Sequence, residues 1–385
     1  MSGLIIMLNE TEVLPYPYAN EVVVRIGGKE HKDWLSYDID SDFLIPADAF
    51  SFETNVSRNQ GVLADYSSLQ CEVLINNQLV MTGIIGHQNE MVDKNNHSIS
   101  FNGRDLAGLL VDCSVKQINV KGMTVLAAAQ KIVEPWPQIK KVILKAEKNP
   151  VLDKVDIEPG ETAWQALSKI AYKAGLHVWL EPDGTLVIGG ADYASPPVAT
   201  LCHSKYDRRR NIQSIHIEYS TENRYSEVTF LGQSHTRYAN SSKHDLKWVY
   251  KDETMLLYKP KTVVIGDAEN LEQLKVQAKK MLSDWRLEGF TLTITVADHK
   301  TQDGVLWQPG QRVHVIDEDQ QIDAIFFLMG RRFLLSRSGG TLTELRLKED
   351  GIWTPDAYVK KSAAARSRKG KRKGVTNRQN KQAKI

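Results

Sequence analysis

The sequence predicts a β-rich α+β chain, with two similar β-barrel domains separated by an α+β insert domain. Three observations predict it. Alternating apolar and polar residues fill the first hundred positions and return after residue 210. Between these regions the apolar spacing changes to the three-and-four period of helices. The late strands also repeat, in pattern, the middle of the early ones. The divisions that follow are a first β-barrel domain over 1–102 and an α+β domain over 103–200. A second β-barrel region spans 201–350, with strands in 211–232 and 289–348 around a helix-containing insertion at 233–288. A basic tail occupies 351–385.

Taken in order, "NEVVVRI" (20–26) and the stretch from Asp33 to Val56 read as strands about a "GG" turn. "CEVLINNQLVMTGIIG" (71–86) is a hairpin signal, because Asn76, Asn77 and Gln78 interrupt two alternating runs. "HSISFNG" supplies another strand, which leaves 1–102 a small barrel or sandwich. From Gly103 the pattern becomes helical: Leu106, Leu109, Leu110 and Cys113 share one face. A helix in "GMTVLAAAQKIVEPW" stops before Pro135. A second, in "GETAWQALSKIAYKAG", opens on the capping-box pair Thr162 and Gln165 and ends at Gly175. Two strands about Pro182-Asp183-Gly184 follow. After Ser195-Pro196-Pro197 come further strands, then a helix from about Ala268 to Trp285. Leu271, Leu274, Ala278, Met281, Leu282 and Trp285 form its expected buried stripe.

Composition is that of an ordinary globular chain, 42% hydrophobic and 25% charged. No apolar run reaches the ~18–20 residues of a membrane helix, so membrane insertion by the chain itself is not expected. The start has no basic segment of the kind that opens a secretion signal. Three widely spaced cysteines, Cys71, Cys113 and Cys202, suit buried, inert thiols in a reducing compartment rather than a disulfide framework. The net charge of +2 hides an asymmetry. Residues 360–385 carry eleven Lys and Arg and no acid, which leaves 1–359 at −9. Such a tail lacks the apolar surface to order alone. It favours phosphate or an acidic protein surface, with binding that weakens in salt.

Motifs of catalysis are absent from the sequence. There is no Walker loop, no GxGxxG, no HExxH and no GxSxG, and neither a cofactor nor a metal is expected. Asp38, Asp40 and Asp42 have the opening rhythm of a calcium loop. Phe43 stands where that loop needs glycine and Ala49 where it needs glutamate, so a polar face beside a strand is the better reading. Asp317-Glu318-Asp319 reads as an exposed hairpin turn. Arg208-Arg209-Arg210 reads as a solvated loop or a contact with an acidic subunit or phosphate.

The stretch "SISFNGRDLAGLLVDCSV" (98–115), with "VLINNQLVMTGIIG" (73–86), "GETAWQALSKIAYKAGLHVWLEPDGTLVIGG" (160–190) and "LWQPGQRVHVID" (306–317), resembles the baseplate hub proteins of contractile-tailed, Mu-like bacteriophages. It is also similar to the hub region of type VI secretion spike proteins. The order and spacing of these stretches over about 20–350 carry the likeness. The resemblance implies a non-enzymatic virion protein that assembles as a ring-shaped homotrimer. Two barrels per chain would give six positions, adapting a sixfold tail tube to a threefold membrane-piercing spike and forming part of the DNA ejection channel. Its partners would be the spike, the tail tube and other baseplate proteins, with weak nonspecific DNA contact in the channel. It would be made in the host cytoplasm and reside in the virion tail baseplate.

Gly103, Arg104 and Asp105 are then the domain junction. Gly103 would permit the change of direction. Arg104 and Asp105 would bridge the units or form a plain surface pair. Lys360, Lys361, Arg366, Arg368, Lys369, Lys371, Arg372 and Lys373 are the candidate partner-binding residues of the tail. Two other readings compete: a tail-associated peptidoglycan-binding or cell-wall hydrolase protein, and a nucleic-acid-binding protein led by its tail.

Overall fold

The structure is a computed structural model that describes residues 20–55, 65–94, 97–116, 118–152, 155–204, 210–232, 246–266, 268 and 270–353. The basic tail residues, Arg208 and Arg209 lie outside them. Among the described residues the N-terminal half holds seven strands: β1 (Val22–Ile26), β2 (Lys29–His31), β3 (Ser36–Asp42), β4 (Ala49–Asn55), β5 (Gln70–Ile75), β6 (Gln78–Val92) and β7 (His97–Asp105). They pair antiparallel in the order β2-β1-β5-β6-β7-β4-β3. The expected hairpin at Asn76-Asn77 forms with both residues at positive φ, 48° and 62°, as a twist-matched two-residue turn requires.

The insert follows with α1 (Ala107–Asp112), β8 (Met123–Thr124), α2 (Val125–Val133), β9 (Val142–Lys145), β10 (Val151–Leu152), α3 (Ala163–Lys173), β11 (His177–Leu180) and β12 (Leu186–Gly189). It has its own apolar core, in which Leu106, Leu110, Ile132, Leu167, Ile170 and Ile188 are buried. Helix α3 opens on the predicted capping box. The Thr162 hydroxyl accepts from the Gln165 amide, and the Gln165 side chain accepts from the Thr162 amide.

The C-terminal half begins with β13 (Ala199–His203) and β14 (Ser214–Tyr219). A side unit of β15 (Glu227–Gly232), β16 (Leu246–Lys251), β17 (Pro260–Ile265) and α4 (Leu271–Glu288) intervenes. The half closes with β18 (Phe290–Ala297), β19 (Arg312–Asp317), β20 (Ile322–Ser336) and β21 (Gly340–Glu349). Helix α4 starts three residues later than the sequence predicts, because the Asn270 side chain caps it by accepting from the Gln273 amide. Leu271 is therefore exposed. Leu274 and Ala278 pack on Val228 and Phe230 as expected, while Gln277, Lys280, Ser283 and Leu287 bury a second face.

The faint sequence repeat is a structural one. β5, β6 and β7 have 6, 15 and 9 residues; β19, β20 and β21 have 6, 15 and 10. Each long middle strand has its ladder register shifted near the centre, between Ile85 and His87 in one and between Leu328 and Gly330 in the other. Just before each hairpin the chain turns at a residue of positive φ, Ser68 at 66° and Gly310 at 93°. Ser68 then donates to the Ile85 carbonyl at 2.7 Å, and Gly310 to the Leu328 carbonyl at 2.8 Å. The strand order β13-β19-β20-β21-β18-β14 also parallels β1-β5-β6-β7-β4-β3.

Among the described residues the expected closed barrels do not form. Each half is an open arc, and both belong to one 13-stranded sheet over one apolar core that runs from Val22 to Leu347. The connection is β20. One edge takes β21 along Phe326–Ser336. The other takes β19 along Ile322–Phe327 and then β3 along Gly330–Leu335. Alternation identifies strands and faces but says nothing about which distant edge a long strand will meet.

Candidate functional site

The joint between β20 and β3 concentrates charge. Asp38, Asp40 and Asp42 recur every second residue of β3, so their carboxylates share one face. Arg332 Nε donates to Asp38 Oδ1 at 2.8 Å, and Arg346 Nε donates to Asp42 Oδ2 at 2.7 Å. Arg346 also pairs with Asp40. The calcium-like rhythm is thus one side of an arginine–carboxylate ladder whose other side lies about 300 residues away. Gly330 is a glycine for this reason, since a Cβ there would run into the Asp42 carboxylate and the Arg346 guanidinium.

Arg331 points the other way, into the core, and is 1% exposed. It donates to the Ile39 carbonyl at 3.0 Å and to the Val80 carbonyl at 3.4 Å, and it lies 4.1 Å from the centre of the Phe333 ring. Burial lowers its pKa to about 10, so it stays charged at neutral pH. Near it Asp48 accepts from the Asp42 amide at 2.9 Å and from the Ser41 hydroxyl. Burial pushes the Asp48 carboxyl up to about 6. Asp105, buried beside it, is held well above the usual carboxylate range by burial first and by the Asp48 charge second. Apart from Arg331 Nε, which is buried without an acceptor, the arginine donors named above are taken up by carbonyls and carboxylates of the other half. Such an arrangement fixes the register of two sheet halves.

The structure separates the three junction residues. Gly103 lies inside β7, not at a turn; a Cβ there would collide with the Phe50 ring and the Ile84 carbonyl, so close packing and not a change of direction requires it. Arg104 pairs with Asp112 of α1, Nη1 donating at 3.2 Å, within the same connection. Asp105 accepts from the Ala107 amide at 3.0 Å, stopping the strand and starting the helix. Cys71 and Cys202 are buried, and burial pushes the Cys71 thiol up to about 12; Cys113 is exposed, contrary to expectation. Among the described residues no three His, Cys, Asp or Glu side chains gather as a metal site.

Two surfaces escaped the sequence reading. Leu256, Leu257 and Tyr258, between β16 and β17, are exposed apolar neighbours. Met91, Val92 and Tyr219 are exposed on strands β6 and β14. The only available sequence signal was their failure to fit an inward alternation.

A duplicated strand arc with an α+β insert and an interlocked arginine joint is a scaffold for assembly, and the comparisons place it among phage tail proteins. Residues 21–105 match the N-terminal model of the Mu phage baseplate assembly protein GpP-like family. Residues 107–190 match the second domain of the baseplate hub protein gp44-like family. Residues 224–282 and 284–352 match the third and C-terminal domains of the NMB1110-like tail proteins.

The tail protein of Neisseria meningitidis MC58 is 66% identical with a TM-score of 0.81, over 89% of this chain and 100% of that one. The 43 kDa tail protein of prophage MuSo2 from Shewanella oneidensis shares the fold at 22% identity and a TM-score of 0.75, over 88% and 99% of the two chains. The E. coli c3393 protein, a type VI secretion component described as structurally similar to T4 tail proteins gp27 and gp5, shares the fold at 11% identity and a TM-score of 0.55, over 85% and 76%. No curated protein matches the chain. This chain belongs to the phage tail and baseplate protein family of the Neisseria tail protein.

Proposed function

We propose that the protein is the baseplate hub of a contractile tail, a non-enzymatic ring-shaped homotrimer that adapts a sixfold tail tube to a threefold spike and lines part of the DNA ejection channel. The observation that carries this reading is the doubled half, with matching strand order, strand lengths and bulges. Three copies of a chain with two similar arcs present six similar positions, which meets a sixfold partner on one side and a threefold partner on the other under closed symmetry. The arginine joint supports it too, because similar positions require the two arcs of one chain to be held at a fixed relation. Gly103, Arg104 and Asp105 mark the passage from the first arc to the insert. The basic tail serves as the contact to the spike or another acidic tail partner, or lies against DNA. Assembly takes place in the host cytoplasm.

Native mass spectrometry of the purified chain tests the reading. A trimer weighs three times 43.4 kDa, about 130 kDa. A monomer, both alone and mixed with its spike and tube proteins, would defeat the proposal.

A further inference from the structure

The insert and the side unit meet along α4. Gly175 turns the chain after α3 at a φ of 72°, and a Cβ there would come within 2.9 Å of a Val276 methyl. The Tyr172 hydroxyl donates to the Gln277 carbonyl at 3.4 Å. Beside this contact lie three ionisable side chains. Lys280, 4% exposed, donates to both carboxylate oxygens of the half-buried Asp284 at 2.6 and 2.5 Å. His177, the first residue of β11, brings its buried Nε2 to 3.3 Å from Asp284 Oδ1, an ion-pair distance without the alignment of a hydrogen bond. The Trp353 ring closes the other side, its centre 4.8 Å from that of the imidazole. Ser283 of α4 holds the strap 350–353 in place by donating to the Ile352 carbonyl at 2.6 Å.

At neutral pH this cluster holds one ammonium, one carboxylate and a neutral imidazole. Burial disfavours a second cation there, and the Asp284 charge that would offset it is already shared with Lys280, so the imidazole is held below the usual histidine range. Among the described residues the groups facing His177 bring no second acid. Helix α4 supplies Lys280 and Asp284, α3 the Tyr172 phenol and the strap an indole ring, while β12 pairs with it through Gly189. We propose that the insert and the side unit are joined by an acid-released latch: a proton taken up at His177 sets two cations against one carboxylate and parts α4 from α3 and β11. The open form takes up that proton at about pH 6.5, the ordinary histidine value, and the closed form only at lower pH. Closure is therefore at full strength above about 6.5 and weakens as pH falls below it, by up to about tenfold per unit. The Asp48 and Asp105 pair, in the other joint, has the opposite sign. The latch belongs to the single chain and stands apart from the hub reading.

Hydrogen–deuterium exchange of the full chain tests it, read by mass spectrometry at about pH 7.5 and about pH 5.5 and divided by the intrinsic rate at each pH. Wild-type peptides from α4 and from α3 through β11 are expected to open up to about tenfold more at the lower pH. His177→Gln and His177→Phe take up no proton and are expected to open equally at both. Equal wild-type protection at the two pH values, or an acid response of these peptides that persists in both variants, overturns the latch. Greater protection at the lower pH also overturns it, and would mean that the Trp353 ring holds the imidazolium. Should both variants be open at every pH, titration of the wild-type His177 ring by NMR decides. A ring that titrates at about 6.5 or above in the closed chain removes the proposal, and one that titrates below it upholds the latch.

Discussion

At the scale of single residues the joint is most sensitive at Arg331. Its guanidinium reaches from one half to carbonyls of β3 and β6 in the other, and removing it strands buried acceptors and the Asp48 carboxylate. Arg331→Ala is expected to cost about 3–5 kcal/mol, read from urea unfolding midpoints at constant m-value. Asp48 and Asp105 predict a pH signature. Both carboxyls are raised in the folded chain above an unfolded value of about 3.9. The fold therefore favours their protonated forms, and this contribution is full below about pH 4 and is lost as pH rises through about 6 and beyond. Melting temperatures of wild type should fall relative to Asp105→Asn across that window. Parallel profiles would show that the pair is not protonated in the folded chain.

At the scale of elements, much was legible in the sequence. The box at Thr162 and Gln165 fixed where α3 starts, and Asn76-Asn77 fixed a hairpin, because both are local and the chemistry lies within four residues. Thr162→Ala should lose about 1 kcal/mol, with faster amide exchange at the start of α3; unchanged exchange would mean that tertiary packing alone sets that end. What could not be read was long-range. Asp38, Asp40 and Asp42 read as a polar face beside a strand and not as part of one, and their arginine partners follow some 300 residues later. Gly103 showed only that a side chain was missing, and the Phe50 ring that excludes one is invisible to any local window. Closed barrels were expected for the same reason, since period two is common to a barrel and an open arc.

At the scale of the whole molecule, the charge separation predicts how the tail behaves. Truncation after Asp356 should weaken binding to the spike and flatten its dependence on salt; an unchanged affinity and slope would leave the tail without that role. The β20–β3 pairing also has a consequence for how the chain is made. Tyr37 meets Leu335 across 298 positions. At ~5–20 residues per second on the ribosome, β3 waits roughly 15–60 s for its partner strand to be synthesised. Throughout that interval a nascent strand edge is open to other nascent chains. The carboxylates of Asp38, Asp40 and Asp42 along it repel their like, and so guard the growing polypeptide against aggregation until the arginines emerge to neutralise them.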